Sequence, residues 1–144
     1  MLKNLNPLLS ADLIYVLRAM GHGDEIVIVD ANFPAESAGP QTVRLDGVSA
    51  TAALEAVLSV LPLDSFVDEA CFIMEPVGDP DRDEPIFHEF RAIIARAEGP
   101  QFALGRIERF DFYARASEAF AVLATGERRL YGNIILKKGI VRPQ

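Results

Sequence analysis

A chain of 144 residues, half of them hydrophobic, is long enough to bury a core as one domain over residues 1–144 without disulfide or metal staples. Its formal net charge of −7 sets a field that repels polyanions, which excludes nucleic acid as a partner. The mean hydropathy of +0.18 is high for a monomer, yet no apolar stretch approaches the roughly 20 residues needed to span a bilayer. A membrane is therefore excluded, and subunits are expected to bury the surplus apolar surface against one another.

In chain order, Ser10 can cap a helix running to Met20, with Leu13, Ile14, Val16, Leu17 and Met20 on one face. Gly21 is then expected as a left-handed stop. Ile26 to Val29 read as a strand closed by Asp30, and ANFPAESAGP after it reads as loop. Ser49 can cap a second helix, TAALEAVLSVL, ended by Pro62. Its only polar residues, Thr51, Glu55 and Ser59, share one narrow stripe, so it belongs in the core or in a subunit interface.

Residues 71–74, CFIM, form a second buried strand, in which the single cysteine, Cys71, reads as an inert thiol. One cysteine cannot build a disulfide framework, and with no secretory segment after Met1 the cytoplasm is the expected compartment. The proline- and acid-rich EPVGDPDRDEP reads as a solvated loop, with a lid over a site as the alternative. A helix IFHEFRAIIARAEG, a strand FALGRI, a helix RFDFYARASEA and strands in AFAVLATG and NIILKKGIV follow. Strands alternating with helices of this length predict an α/β fold: a single three-layer α/β/α domain with a mixed, largely parallel sheet. The short GERRLYG connection would permit the last two strands to pair antiparallel.

The chemistry-bearing residues exclude several classes. Gly21 and Gly23 give G-x-G, but Ile26 stands where the dinucleotide fingerprint needs a third glycine, and the turn follows a helix rather than a strand. His22 and His88 are far apart, so no metal-ligand spacing exists, and neither serine nor cysteine sits in a nucleophile motif. Acid–base chemistry remains. His22 lies between two glycines that let its ring project, and an imidazole ordinarily titrates near neutrality. The tripeptide by itself also reads as a surface histidine at a helix stop.

Asp30 ends a buried strand, where ligands of α/β sheets collect, and its carboxylate can hold two sugar hydroxyls; a turn-forming aspartate is the alternative. Tyr131 and Asn133 flank Gly132 before an apolar strand and suit a polyol, although a plain turn fits them equally. Arg109 could point a cation at the same pocket, and Tyr113 is a further candidate.

Three segments in order, GHGDEIVIVDANFPA, ERFDFYARA and TGERRLYGNIILKKG, together resemble the RbsD/FucU family of sugar mutarotases. GHGD, DANFPA and YGN resemble its L-fucose branch. The resemblance runs from Pro7 to Gly139 and is weak over about 64–100. It implies an enzyme without cofactor or metal that interconverts the α and β anomers of L-fucose. The alternatives are interconversion of ribose pyranose and furanose forms, or a non-catalytic monosaccharide-binding module. It further implies a homo-oligomeric ring, typically a decamer, with sites where subunits meet. The family's general acid falls on His22 and its ligand contacts on Asp30, Arg109, Tyr131, Gly132 and Asn133. Asp30 or Tyr131 is then the complementary base or relay.

One geometric expectation follows from the strand. At about 3.3 Å per residue, an extended 26–29 carries Asp30 well over 10 Å from the strand's start. His22 would sit near the opposite edge of the sheet. A shared pocket therefore requires a neighbouring subunit to supply the histidine, unless the loop folds back.

Overall fold

The computed structural model describes residues 1–144 and forms one six-stranded sheet between two helical layers. Helix α1 (Ala11–Ala19) begins where the Ser10 hydroxyl accepts the Leu13 N–H at 3.3 Å, and it buries Leu13, Val16 and Leu17. It ends because Met20 is extended, with ψ 138°. Gly21 is thus not the left-handed stop expected of it. Positive φ comes two residues later, at Gly23 (φ 89°).

Strand β1 (Glu25–Val29) is followed by a 3-10 turn at Glu36–Ala38 and by β2 (Gln41–Leu45), an edge strand not expected from the sequence. Only Val43 of β2 is buried, too little to leave an alternating pattern. Helix α2 (Ala50–Leu58) is capped by Ser49 and stops three residues short of the expected Leu61. Six of its nine residues are buried, which places it in the core. Strand β3 (Cys71–Met74) is buried throughout. Helix α3 (Pro85–Ala97) starts on a proline and is stopped by Gly99 at φ 117°. Strand β4 (Leu104–Ile107), helix α4 (Arg109–Ser117), β5 (Ala121–Thr125) and β6 (Ile134–Lys137) complete the chain.

The strand order is β2-β5-β1-β6-β3-β4. β1 and β2 each pair parallel with β5, and β3 pairs parallel with β4, while β6 runs antiparallel to both β1 and β3. The sheet is mixed, as the sequence predicts. The last two strands are not partners, however, because β1 lies between them. Residues 126–133 must therefore cross the carboxyl end of β1, which lays them beside Asp30.

The inner strands are apolar on both faces because both are covered. Ile26, Ile28, Ile73, Leu123 and Ile134 pack toward α1, α2 and α3. Val27, Val29, Phe72, Val122 and Ile135 pack with Phe112 and Ala116 of α4. No helix is long and apolar enough to cross a membrane.

Candidate active site

The carboxyl ends of β1, β3 and β4 open on a cavity of about 190 Å3 lined by Asp30, Met74, Val77, Arg109, Tyr131 and Asn133, among others. This is the edge where an α/β sheet collects ligands. It is small beside the roughly 300–1,000 Å3 of sites that enclose a ligand alone. A second hollow of about 280 Å3 shares Asp30 and Phe33 with it. The apolar hollow beside α1, about 570 Å3 and lined by Leu2, Ala11, Ile14, Tyr15, Arg18 and Ala19, offers no acid–base pair.

Asp30 is buried where β1 ends. Its backbone N–H donates to Asn133 Oδ1 at 2.8 Å, and its Oδ1 accepts the Asn32 N–H at 2.9 Å. Burial pushes its carboxyl above the ordinary value, against the opposing pull of donors on Asn32, Phe33, Asn133 and Gly132. When ionised, such a carboxylate is a stronger base than one in water.

Tyr131 holds φ at +60°, a conformation that costs a side chain about 1–2 kcal/mol. Its phenol oxygen accepts the Val77 N–H at 2.9 Å, so the loop expected as solvated surface supplies one wall of the cavity. Arg106 pins the same loop by donating to the carbonyls of Pro80 and Arg82 at 3.1 and 3.0 Å. Arg109, at the start of α4, lays its guanidinium 4.6 Å from the Phe110 ring centre. Tyr113 also lines the cavity, 5.4 Å from Phe33 ring to ring.

Gly132 does not line the cavity. A Cβ there would come 2.8 Å from Glu127 Cγ and 3.2 Å from Ile86 Cδ1. Gly132→Ala is therefore expected to destabilise the protein by about 1–3 kcal/mol and to disturb Tyr131 and Asn133. Thermal unfolding measures the first effect and sugar binding the second.

Glu127, buried and unforeseen in the sequence, holds this loop together. Its carboxylate accepts the N–H groups of Ala50 (3.3 Å), Arg128 (3.0 Å) and Arg129 (3.1 Å), and the Arg129 guanidinium as well. Its carbonyl accepts the Ala31 N–H at 2.8 Å, tying the loop to the residue after Asp30. Burial raises the Glu127 carboxyl, but the hydrogen bonds from Arg129 outweigh it and the group titrates below its ordinary value.

His22 is not in the cavity. The Gly23 N–H donates to Lys138 O beyond the end of β6, whereas Asn133 beside Asp30 precedes its start. Five residues of β1 separate the two ends, about 17 Å at 3.3 Å per residue. At its own end, His22 Nε2 lies 2.9 Å from Oδ1 of the buried Asp64, which the sequence did not suggest. Burial raises the Asp64 carboxyl, but hydrogen bonds from His22 and the Phe66 N–H outweigh it and leave it below the ordinary value. With Nε2 engaged, Nδ1 is the nitrogen left for an incoming group. Lys138 steadies this corner by donating to the carbonyls of Leu17 and Met20 at 2.7 and 2.5 Å.

The structure thus brings Asp30, Arg109, Tyr131 and Asn133 together and leaves His22 with Asp64 at the far end of the same strand. No three His, Cys, Asp or Glu side chains converge as metal ligands would.

Residues 3–141 match the RbsD / FucU transport protein family. A fucose mutarotase of Homo sapiens is 51% identical, covering 97% of this chain and 94% of that protein. That of Bos taurus is 48% identical, covering 99% and 96%. Among solved structures, the fucose mutarotase of Streptococcus pneumoniae in complex with L-fucose superposes with a TM-score of 0.91 at 42% identity, covering 98% of this chain and 100% of that one. Bacillus subtilis RbsD, complexed with D-ribose, shares the fold at a TM-score of 0.74 and 20% identity, covering 99% and 100%. The chain belongs to the RbsD/FucU family.

Proposed function

We propose that this protein is an L-fucose mutarotase that interconverts the α and β anomers by acid–base-catalysed ring opening. The observation that carries the reading is the cavity at the end of β1, where a carboxylate, a guanidinium, a phenol and an amide converge on one small volume. Such a set suits a polyhydroxyl ligand. The likeness to fucose mutarotases over almost the whole chain supports the choice of sugar.

Mutarotation moves two protons and transfers no group. Asp30, its basicity raised by burial, takes the proton from the anomeric hydroxyl. His22 delivers a proton from Nδ1 to the ring oxygen O5. The C1–O5 bond breaks as C1=O1 forms, the aldehyde turns about C1–C2, and the steps reverse on the other face. Tyr131 spends an oxygen lone pair on the Val77 N–H, which leaves its O–H to donate to a sugar hydroxyl and favours Asp30 as the base. Asn133 and Arg109 complete the hold on the sugar, and the Gly132 backbone shapes the loop that presents Tyr131 and Asn133.

The acid and the base act on one sugar only if they come from two chains. In this reading the cavity of one subunit receives the partner subunit's His22 in a closed, decameric ring in the cytoplasm. Both half-sites are rimmed by exposed apolar side chains, Val77 and Leu130 at the cavity and Phe66 beside His22, as surfaces meant to meet would be.

Asp64 orients the imidazole. Asp64→Asn is expected to lower turnover roughly 10²-fold, because a misplaced ring costs about that much, while leaving sugar affinity nearly unchanged. Saturation-transfer NMR on equilibrated L-fucose tests the function itself. Anomer exchange well above the uncatalysed rate is expected, greater for L-fucose than for D-ribose. Binding without exchange would make the protein a sugar-binding module.

A further inference from the structure

Phe66 has no explanation within its own chain. It belongs to neither core cluster, and 60% of it is exposed. Yet it is not loose. Its N–H donates at 3.0 Å to Asp64 Oδ1, the same oxygen that meets His22 Nε2 at 2.9 Å. Its ring stands 5.3 Å from the imidazole, tilted by 54°, and the Arg142 guanidinium lies 5.5 Å from its centre. Asp64 therefore ties the imidazole to the Phe66 backbone, and the phenyl ring lies beside the proton donor as an apolar surface. Wherever His22 works, Phe66 is present.

The chemistry of the sugar says what such a surface would meet. O5, which takes the proton from His22, is bonded to C5, and C5 carries C6. O5 also bonds C1, where the reaction occurs, so on its other side the acid faces C5 and the C6 that C5 carries. In a 6-deoxyhexose C6 is a methyl group, which an aromatic ring covers favourably; in the parent hexose it bears a hydroxyl that the ring would strip of water without offering a hydrogen bond.

We propose that Phe66 is a specificity-determining residue, which enters the partner subunit's cavity with His22 and covers the C6 methyl of a 6-deoxy sugar. This rests on the shared-site reading above. It assigns the preference for a deoxy sugar to the chain that donates the acid rather than to the one that holds the carboxylate.

L-Fucose and L-galactose differ only by the hydroxyl on C6, so the ratio of their kcat/KM values reads this contact. Phe66→Ala is expected to lower the fucose-to-galactose ratio about tenfold, the usual worth of a small apolar contact in discrimination. Phe66→Leu, which keeps apolar bulk, should retain most of the ratio. Equal losses for both sugars would mean that Phe66 merely steadies His22, and an unmoved ratio would mean that it meets no substrate; either result overturns the proposal.

Placement separates the proposal from the reading beneath it. In mixed rings of His22→Ala and Asp30→Ala chains, the productive sites draw their imidazole from the Asp30→Ala chain. Phe66→Ala should change the sugar ratio when added to that chain and not when added to the other. Active mixed rings whose ratio ignores placement overturn the role of Phe66 alone. Mixed rings with no activity overturn the shared site, and the proposal with it.

Discussion

Replacing His22 by alanine is expected to slow anomer exchange of L-fucose by about 10²–10⁴-fold, the usual contribution of a positioned acid or base. The side chain is 44% exposed and its one polar partner is Asp64, so the fold should survive its removal. Sugar binding should survive as well, because Asp30, Arg109, Tyr131 and Asn133 line a cavity that His22 of the same chain does not border. The expected signature is a fall in kcat at nearly constant KM, read by saturation-transfer NMR over a range of sugar concentrations. A comparable fall in affinity would place the imidazole among the binding groups instead.

Glu127→Ala should have the largest effect on stability. It removes the acceptor for three backbone N–H groups and one edge of the Arg129 guanidinium, and the Ala50 N–H is buried. A loss of about 3 kcal/mol follows from leaving such donors unpaired, or roughly 10 °C in Tm for a chain of this size. Activity should fall too, since the same carboxylate anchors the loop that carries Tyr131 and Asn133. Glu127→Gln gives a test by pH. The carboxyl titrates lower in the folded protein than in the unfolded chain, where its ordinary value is 4.5, so its ionised form is stabilising. That contribution is complete above the unfolded value and is lost as pH falls through the folded one. The glutamine variant should therefore show a shallower loss of Tm on acidification below about pH 5 than the parent.

The legible parts of this protein were those with a local cause. Asp30 stood out because a buried strand stops on it, and His22 because two glycines bare it. The strands of the inner sheet showed as apolar runs, since helices cover both faces. Asp64 left no local trace: it matters through a contact 42 residues away in sequence, and LPLDSF reads as any turn. Glu127 was hidden for the same reason, its role set by Ala50 and by a loop that crosses β1. β2 is not legible because one buried residue in five makes no pattern. Gly21 is not the helix stop because Met20 ends the helix by extending.

The separation of His22 from Asp30 along β1 was legible as arithmetic on a strand, and the structure keeps the two at its opposite ends. From that separation comes the central claim, that each site joins one chain's cavity to the next chain's imidazole. The direct measurement is anomer exchange in the assemblies formed when His22→Ala and Asp30→Ala chains are co-expressed, each chain being expected to be inactive alone. With random assembly around a head-to-tail ring, about a quarter of the sites should pair an intact cavity with an intact histidine and regain turnover. Mixed rings that stay as inactive as either parent would contradict the claim and return acid and base to a single chain.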